Sequence, residues 1–143
     1  MRRYLLVLFV LFGVSKLFGQ SLEIGLGAQK NVMDIQYNYD LTFRYKNFFG
    51  LGVFGQSSKY MSFEQENNNY PIIGLDMSMP VKTCEELRVL VHLKGGLVNN
   101  QFIIVTPELE TRLKLFKHIH LSTSIGIRRN QAAIAGKLLI TFW

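Results

Sequence analysis

Thirteen consecutive residues, 33–45, alternate without a break between two kinds of side chain. Met33, Ile35, Tyr37, Tyr39, Leu41, Phe43 and Tyr45 hold the odd positions, and Asp34, Gln36, Asn38, Asp40, Thr42 and Arg44 the even ones. Side chains of an extended chain point to opposite faces with period two, so this segment reads as a strand with one apolar and one polar face. A helix would set Tyr37 beside Asp40 and Leu41 and mix charge into the aromatic face.

Weaker copies of the pattern occupy 22–28, 48–57, 72–81, 86–97, 102–115, 118–128 and 132–143. The stretch 72–81 sets Ile73, Leu75, Met77, Met79 and Val81 against Gly74, Asp76 and Ser78, and 86–97 sets Leu87, Val89, Val91, Leu93 and Leu97 against Glu86, Arg88, His92 and Lys94. The last stretch is the least regular: Ile134, Leu138, Ile140 and Phe142 keep one phase, while Leu139 and Trp143 fall in the other. Eight such stretches give an all-β fold, an eight-stranded antiparallel up-and-down barrel. Pro107 lies inside the sixth stretch and cannot donate to a ladder, so a bulge or an open edge is expected there.

The first residues stand apart from this pattern. Arg2 and Arg3 precede an apolar run from Tyr4 to Val14, followed by Ser15 to Gln20. A basic start, a short apolar run and a small residue at the exit make an export signal, with cleavage expected after Gly19. The run is too short for a spanning helix, which needs about 18 residues or more. The division is then residues 1–19 as signal peptide and 20–143 as one barrel domain. No Cys follows the run, so a lipidated N-terminus is not expected.

Charge changes meaning once the leader is removed. The full chain carries 16 Lys+Arg against 10 Asp+Glu; without Arg2, Arg3 and Lys16 the balance is 13 against 10, or +3 rather than +6. A nucleic-acid partner, which needs Lys and Arg clustered on one face, is therefore not expected. Cys84 is the only cysteine, which excludes an intramolecular disulfide and the small folds that depend on one. His118 and His120 have no third ligand nearby in sequence, and no metal or cofactor is expected.

Alternation leaves open whether the apolar face meets lipid or fills a soluble barrel. The interior of an eight-stranded barrel is just wide enough for side chains to fill. The bulky set with Tyr37, Tyr39, Phe43, Tyr45 and Phe49 would overfill it, whereas the Gly, Ser, Asp and Asn face would fit. Aromatics also gather at one rim: Phe43, Tyr45, Phe48, Phe49, Phe116, Phe142 and Trp143. Such a ring suits a membrane interface. The polar face is balanced, with Glu23, Asp34, Asp40, Asp76, Glu86, Glu108 and Glu110 against Arg44, Arg88, Lys94, Arg112, Lys114, Arg128 and Lys137, and buried charges must pair.

A leader ending Phe18-Gly19-Gln20, eight amphipathic strands and a terminal Thr141-Phe142-Trp143 resemble the small outer-membrane β-barrel proteins of Gram-negative bacteria. The Gln after the leader resembles exported proteins of the Bacteroidetes in particular. The resemblance covers the whole mature chain and is one of pattern. It implies an outer-membrane location, insertion by the barrel-assembly machinery that reads the terminal aromatic, and contact with outer-membrane lipid and lipopolysaccharide. In that family the last residue shares the lipid-facing phase; here Phe142 does and Trp143 does not. With the N-terminus periplasmic, the short connections at Lys46-Asn47, 82–85 and Phe116-Lys117 fall on the inner side. Those at 29–32, 58–69, Asn99-Asn100 and 129–131 fall outside. The one long polar loop, 58–69, is thus external, as is usual for such barrels.

Two patterns suggest chemistry. His120-Leu121-Ser122 resembles the outer-membrane lipid A deacylases, in which the His would serve as base for the Ser nucleophile. No acid follows Ser122, His120 falls near the periplasmic end, and both residues share the inward phase, so hydrogen-bonded lumen residues are the expected reading. Glu108 and Glu110 have the spacing of an acid/base pair. Arg112 and Lys114 continue their row and turn it into a salt-bridge ladder instead. The expected lumen charge network comprises Asp34, Asp40, Arg44, Asp76, Arg88, Lys94, Glu108, Glu110, Arg112 and Lys114. Lys30, Lys59, Arg128 and Arg129 fall at the outer rim, where lipopolysaccharide phosphates would accept their hydrogen bonds. The expectation is a non-enzymatic membrane barrel with a structural or surface-interaction role and no aqueous channel. A soluble barrel binding an apolar ligand and a lipid A-modifying enzyme are the alternatives.

Overall fold

The computed structural model describes residues 20–30, 35–46, 48–57, 59–60, 68–69, 72–98, 102–128 and 131–142. The strands are β1 (Gln20–Lys30), β2 (Ile35–Tyr45), β3 (Phe49–Ser57), β4 (Lys59–Tyr60), β5 (Asn68–Asn69), β6 (Ile72–Thr83), β7 (Leu87–Val98), β8 (Phe102–Phe116), β9 (Ile119–Arg128) and β10 (Gln131–Phe142). Eight of them close into an antiparallel barrel in the order β1-β10-β9-β8-β7-β6-β3-β2. The eight stretches of alternation are these eight strands. β4 and β5 pair only with each other, a short ribbon inside the long connection that alternation does not mark. The leader, Asp34, Arg129 and Trp143 lie outside the described residues.

Period two separates the faces as the pattern demands. Along β2, Ile35, Tyr37, Tyr39 and Leu41 are exposed on the outer wall, while Gln36, Asn38, Asp40, Thr42 and Arg44 are buried in the lumen. The outer wall continues through Leu51, Val53, Ile73, Leu75, Met77, Val91, Leu93, Val105, Leu109, Leu121, Ile125, Ile134 and Leu138, all exposed. The molecule is therefore apolar outside and charged within, the reverse of a water-soluble core. Leu90 and Leu139 are apolar residues that break phase in sequence, and both are buried in the lumen. Near one end Phe54 and Ile72 pack together with Ile104.

The two ends differ. At one, the turn end, lie the start of β1, the finish of β10 and three short connections. In the first of these, Phe48 donates its amide to Tyr45 O at 2.8 Å and Lys46 takes a left-handed φ of 45°. In the second, Cys84 N bonds Leu87 O at 2.8 Å; Cys84 is free and exposed. The third is Lys117-His118, which β10 joins through the bond from Thr141 N to His118 O at 2.8 Å. Phe43, Tyr45, Phe48, Phe49, Phe116 and Phe142 surround this end. The opposite end, the loop end, carries the β4–β5 ribbon.

The ladder also accounts for Pro107, and the expected bulge is elsewhere. Register shifts occur between Pro80 and Lys82 in β6 and between Lys114 and Phe116 in β8. Pro107 pairs in step with Leu93 of β7. The β8–β9 ladder begins one residue later, at Glu108↔Gly126, so 102–107 of β8 overhang β9 at the loop end. Lys114 donates its amide to Glu86 O on the β7 side. Amides along a strand alternate sides, so those of Glu108, Glu110 and Arg112 face β7 and the nitrogen of Pro107 faces β9. There the β8–β9 ladder reaches its end, so at most one terminal bond is lost.

Candidate functional site

The inward rows of seven strands deliver charge to one level of the lumen. β1 supplies Glu23; β2 Asp40 and Arg44; β6 Asp76 and Ser78; β7 His92 and Lys94; β8 Glu108, Glu110 and Arg112; β9 Ser124; and β10 Lys137. The eighth, β3, contributes space. A Cβ at Gly50 would stand 3.2 Å from the Arg44 guanidinium nitrogens and collide with Ser78 Oγ. Gly25 of β1 makes the same allowance for the carboxylate of Asp40, its register partner.

These groups form one connected network. Arg44 donates Nε to Glu23 Oε1 at 2.9 Å and Nη2 to Glu23 Oε2 at 3.1 Å, and reaches Ser78 Oγ at 3.3 Å. Arg112 donates Nη1 to Glu23 Oε2 at 2.7 Å and Nε to Glu110 Oε1. Lys137 Nζ lies 3.0 Å from Glu110 Oε2, 3.4 Å from Asp40 Oδ2 and 4.0 Å from Glu108 Oε1. Glu108 is also bound by Lys94 and by the Ser124 hydroxyl. His92 Nδ1 is 2.9 Å from Asp76 Oδ2. Its Nε2 is 3.3 Å from Glu110 Oε2, near enough for ion pairing but out of line for a hydrogen bond.

Nearly all of these side chains are shut away from solvent, with Arg44 and Glu110 fully buried. Each carboxylate lies against at least one basic side chain, which satisfies the requirement that buried charge be paired. Toward the loop end an amide layer follows: Asn38 Nδ2 and Gln56 Nε2 both donate to Gln29 Oε1, at 3.3 and 2.7 Å. Beyond it, a cavity of about 10 Å³ beside Phe54, Ile72 and Lys94 has room for one water. The lumen level is thus filled by a salt-bridged plug.

Of the residues assigned to this network from sequence, Asp40, Arg44, Asp76, Lys94, Glu108, Glu110 and Arg112 are brought together. Arg88 is half-buried nearer the turn end, and Lys114 is exposed there, because β8 runs past the mouth before its register shift. Lys30 is exposed at the loop end. The backbones of Lys59 and Arg128 are described at that end, whereas their side chains lie outside the described residues. Glu23, His92 and Lys137 share the polar phase but were not placed in the network. Their phase marks them as inward; only the register reveals that Glu23 joins two arginines and Lys137 three acids.

At the turn end the lumen widens into a vestibule of about 300 Å³, lined by Glu23, Arg88, Arg112, Lys114, Lys117 and His120 among others. His120 Nδ1 lies 3.4 Å from Thr141 Oγ1. Ser122 Oγ is buried without a hydrogen bond, so the two residues of the deacylase-like pair are not joined. Among the described residues no group of three His, Cys, Asp or Glu is placed to hold a metal ion.

No protein-family model matches the sequence, and no curated protein does. Solved structures do match in fold. A de novo designed transmembrane β-barrel superposes with a TM-score of 0.72 at 10% identity, covering 85% of this chain and 95% of the design. The N-terminal β-barrel domain of Pseudomonas aeruginosa OprF gives 0.65 at 12% identity, over 85% and 97% of the two chains. The Yersinia pestis outer membrane protein Ail, in a phospholipid bilayer nanodisc, gives 0.59 at 8% identity, over 86% and 98%. The fold is that of the small outer-membrane β-barrels.

Proposed function

We propose that this chain is an outer-membrane barrel with a structural or surface-interaction role and no catalysis, delivered by the leader at residues 1–19. The inversion of the closed barrel carries the reading. The outer wall is apolar on strand after strand while the charges are sealed inside, and hydrocarbon rather than water is the solvent that such a wall suits. The aromatic ring at the turn end would sit at headgroup level on the periplasmic side, placing the long connection outside the cell. The charged lumen argues against an apolar ligand within it, and the salt-bridged plug argues against a pore. At the loop end, Lys30, Lys59, Arg128 and Arg129 would lie level with lipopolysaccharide phosphates, and the 58–69 connection would meet whatever approaches the surface.

A gel tests the membrane assignment. The chain should remain with the outer-membrane fraction after a high-salt wash and require detergent for release. Unboiled in SDS it should migrate differently from the boiled sample, since a closed barrel resists unfolding until heated. Recovery in the soluble periplasmic fraction with a single mobility would overturn the assignment.

A further inference from the structure

The two register shifts both lie at the turn end, one in each strand that flanks β7, and both change which way a side chain faces. In β6, Pro80 pairs with the lumen residue Leu90, yet Lys82 pairs with Val89, the very next residue of β7. Register partners share a face. Val89 belongs to the outward row of Leu87 and Val91, both exposed. The extra residue, Val81, therefore turns Lys82 out of the inward phase of Asp76, Ser78 and Pro80 and onto the outer wall. In β8 the shift between Lys114 and Phe116 does the same for Phe116, which pairs with Ile119. Each bulge thus leaves two successive side chains on the outer wall, Val81-Lys82 and Leu115-Phe116, all of them exposed. We infer that Lys82 and the apolar wall around it seat a glycerophospholipid, the lysine ammonium taking the lipid's phosphodiester.

On the membrane reading, which this assignment rests on, the turn end stands at headgroup level. β6 and β7 contribute no Phe, Tyr or Trp to the aromatic ring there, so the ring is interrupted where Lys82 emerges. Met79, Leu87 and Val91 continue the wall from Lys82 toward the middle of the barrel, all exposed. Phe116 stands two strands away, about 10 Å along the rim. A lysine on such a wall lays its methylene stem along the apolar surface and carries its ammonium to the headgroups. There it needs a counter-ion, and Lys82 takes part in none of the ion pairs among the described residues. Glu85 and Glu86 of the following turn line the vestibule, on the lumen side of the rim. A phosphodiester is the anion that every glycerophospholipid presents at this level, and it accepts charge-assisted hydrogen bonds. Its acyl chains cover the apolar wall below, which free phosphate cannot do.

The test uses the full chain purified in dodecyl maltoside, a detergent without phosphate. Dihexanoyl phosphatidylethanolamine is titrated in, and the amides of Val81, Lys82, Val89 and Phe116 are followed by NMR. Dihexanoylglycerol, with the same tails and no phosphodiester, and inorganic phosphate, with no tails, are titrated in parallel. The phospholipid should give saturable shifts at those amides, and the other two should bind at least roughly tenfold more weakly. K82Q should weaken phospholipid binding roughly tenfold, the loss of one charged hydrogen bond. K82R, which keeps the charge, should stay within about threefold of the parent. K46Q removes the same charge from the β2–β3 turn and should leave binding within about twofold. Every variant must keep its heat-dependent gel mobility. Equal affinity for dihexanoylglycerol or inorganic phosphate, or undiminished binding by folded K82Q, would overturn the inference. So would an equal loss in K46Q, which would reduce the effect to general rim charge. A parent chain without heat-dependent mobility would overturn the membrane reading itself, and the lipid seat with it.

Discussion

Lys137 is where the acids of the lumen meet. One ammonium faces Glu110, Asp40 and Glu108, carried by three different strands. A buried ion pair need not add net stability over a well-packed apolar substitute, but removing one partner leaves its counterpart charged and unsolvated. Lys137→Met should therefore destabilise the barrel by about 3–5 kcal/mol, read as a lower urea midpoint in lipid vesicles. An unchanged midpoint would mean that water or a shifted Lys94 or Arg112 replaces the ammonium. Arg112 is just as particular in its geometry. Its fork spans Glu23 and Glu110, which the single head of a lysine cannot do.

Among the elements, β8 best shows what local pattern can and cannot convey. Its alternation locates the strand, and Pro107 looks like a defect in it. Only the pairing of both neighbours reveals that the proline nitrogen points at the terminal rung of the β9 ladder. Pro107→Val should then change stability by no more than about 0.5 kcal/mol. Thr111→Pro, four residues on, lies within the ladder opposite Thr123, and its amide has the same direction. That change should cost about 1–3 kcal/mol through the lost bond and its orphaned acceptor. Unfolding of the two variants side by side checks the pair; equal costs would refute the alternation of amides argued above. The strands were legible because period two records a face wherever inside and outside differ in polarity. Leu90 and Leu139 were less so, since an apolar side chain buried among charged neighbours looks like a lapse in the pattern. The β4–β5 ribbon was invisible, having two residues per strand and no two-faced environment. The ion network was legible as a set of inward residues, but its partners are fixed by non-local register, as between Arg112 and Glu23 at opposite ends of the sequence.

For the molecule as a whole, the apolar wall makes the surroundings part of the fold. In bilayers, Tyr39→Arg sets a charge on the outer wall halfway along β2 and should cost about 2–4 kcal/mol. Asn38→Ser, one residue away and inside, should cost little, because water can take over the bond to Gln29. Polarity-sensitive labels at the two positions offer a direct reading: hydrocarbon at 39 and a polar site at 38. The opposite result would mean that the faces are reversed and the barrel is soluble. The seam between β1 and β10 has a consequence in time. Nine register pairs, from Leu22↔Phe142 to Lys30↔Ile134, join stretches more than a hundred residues apart. Until 131–142 have left the ribosome, β1 has no partner on that side and the ring cannot shut, so half-made chains gain nothing by folding early. Long-range pairing of this kind is slow, and its strands stay adhesive while they wait. A chain built this way must be kept unfolded in transit and released only when whole.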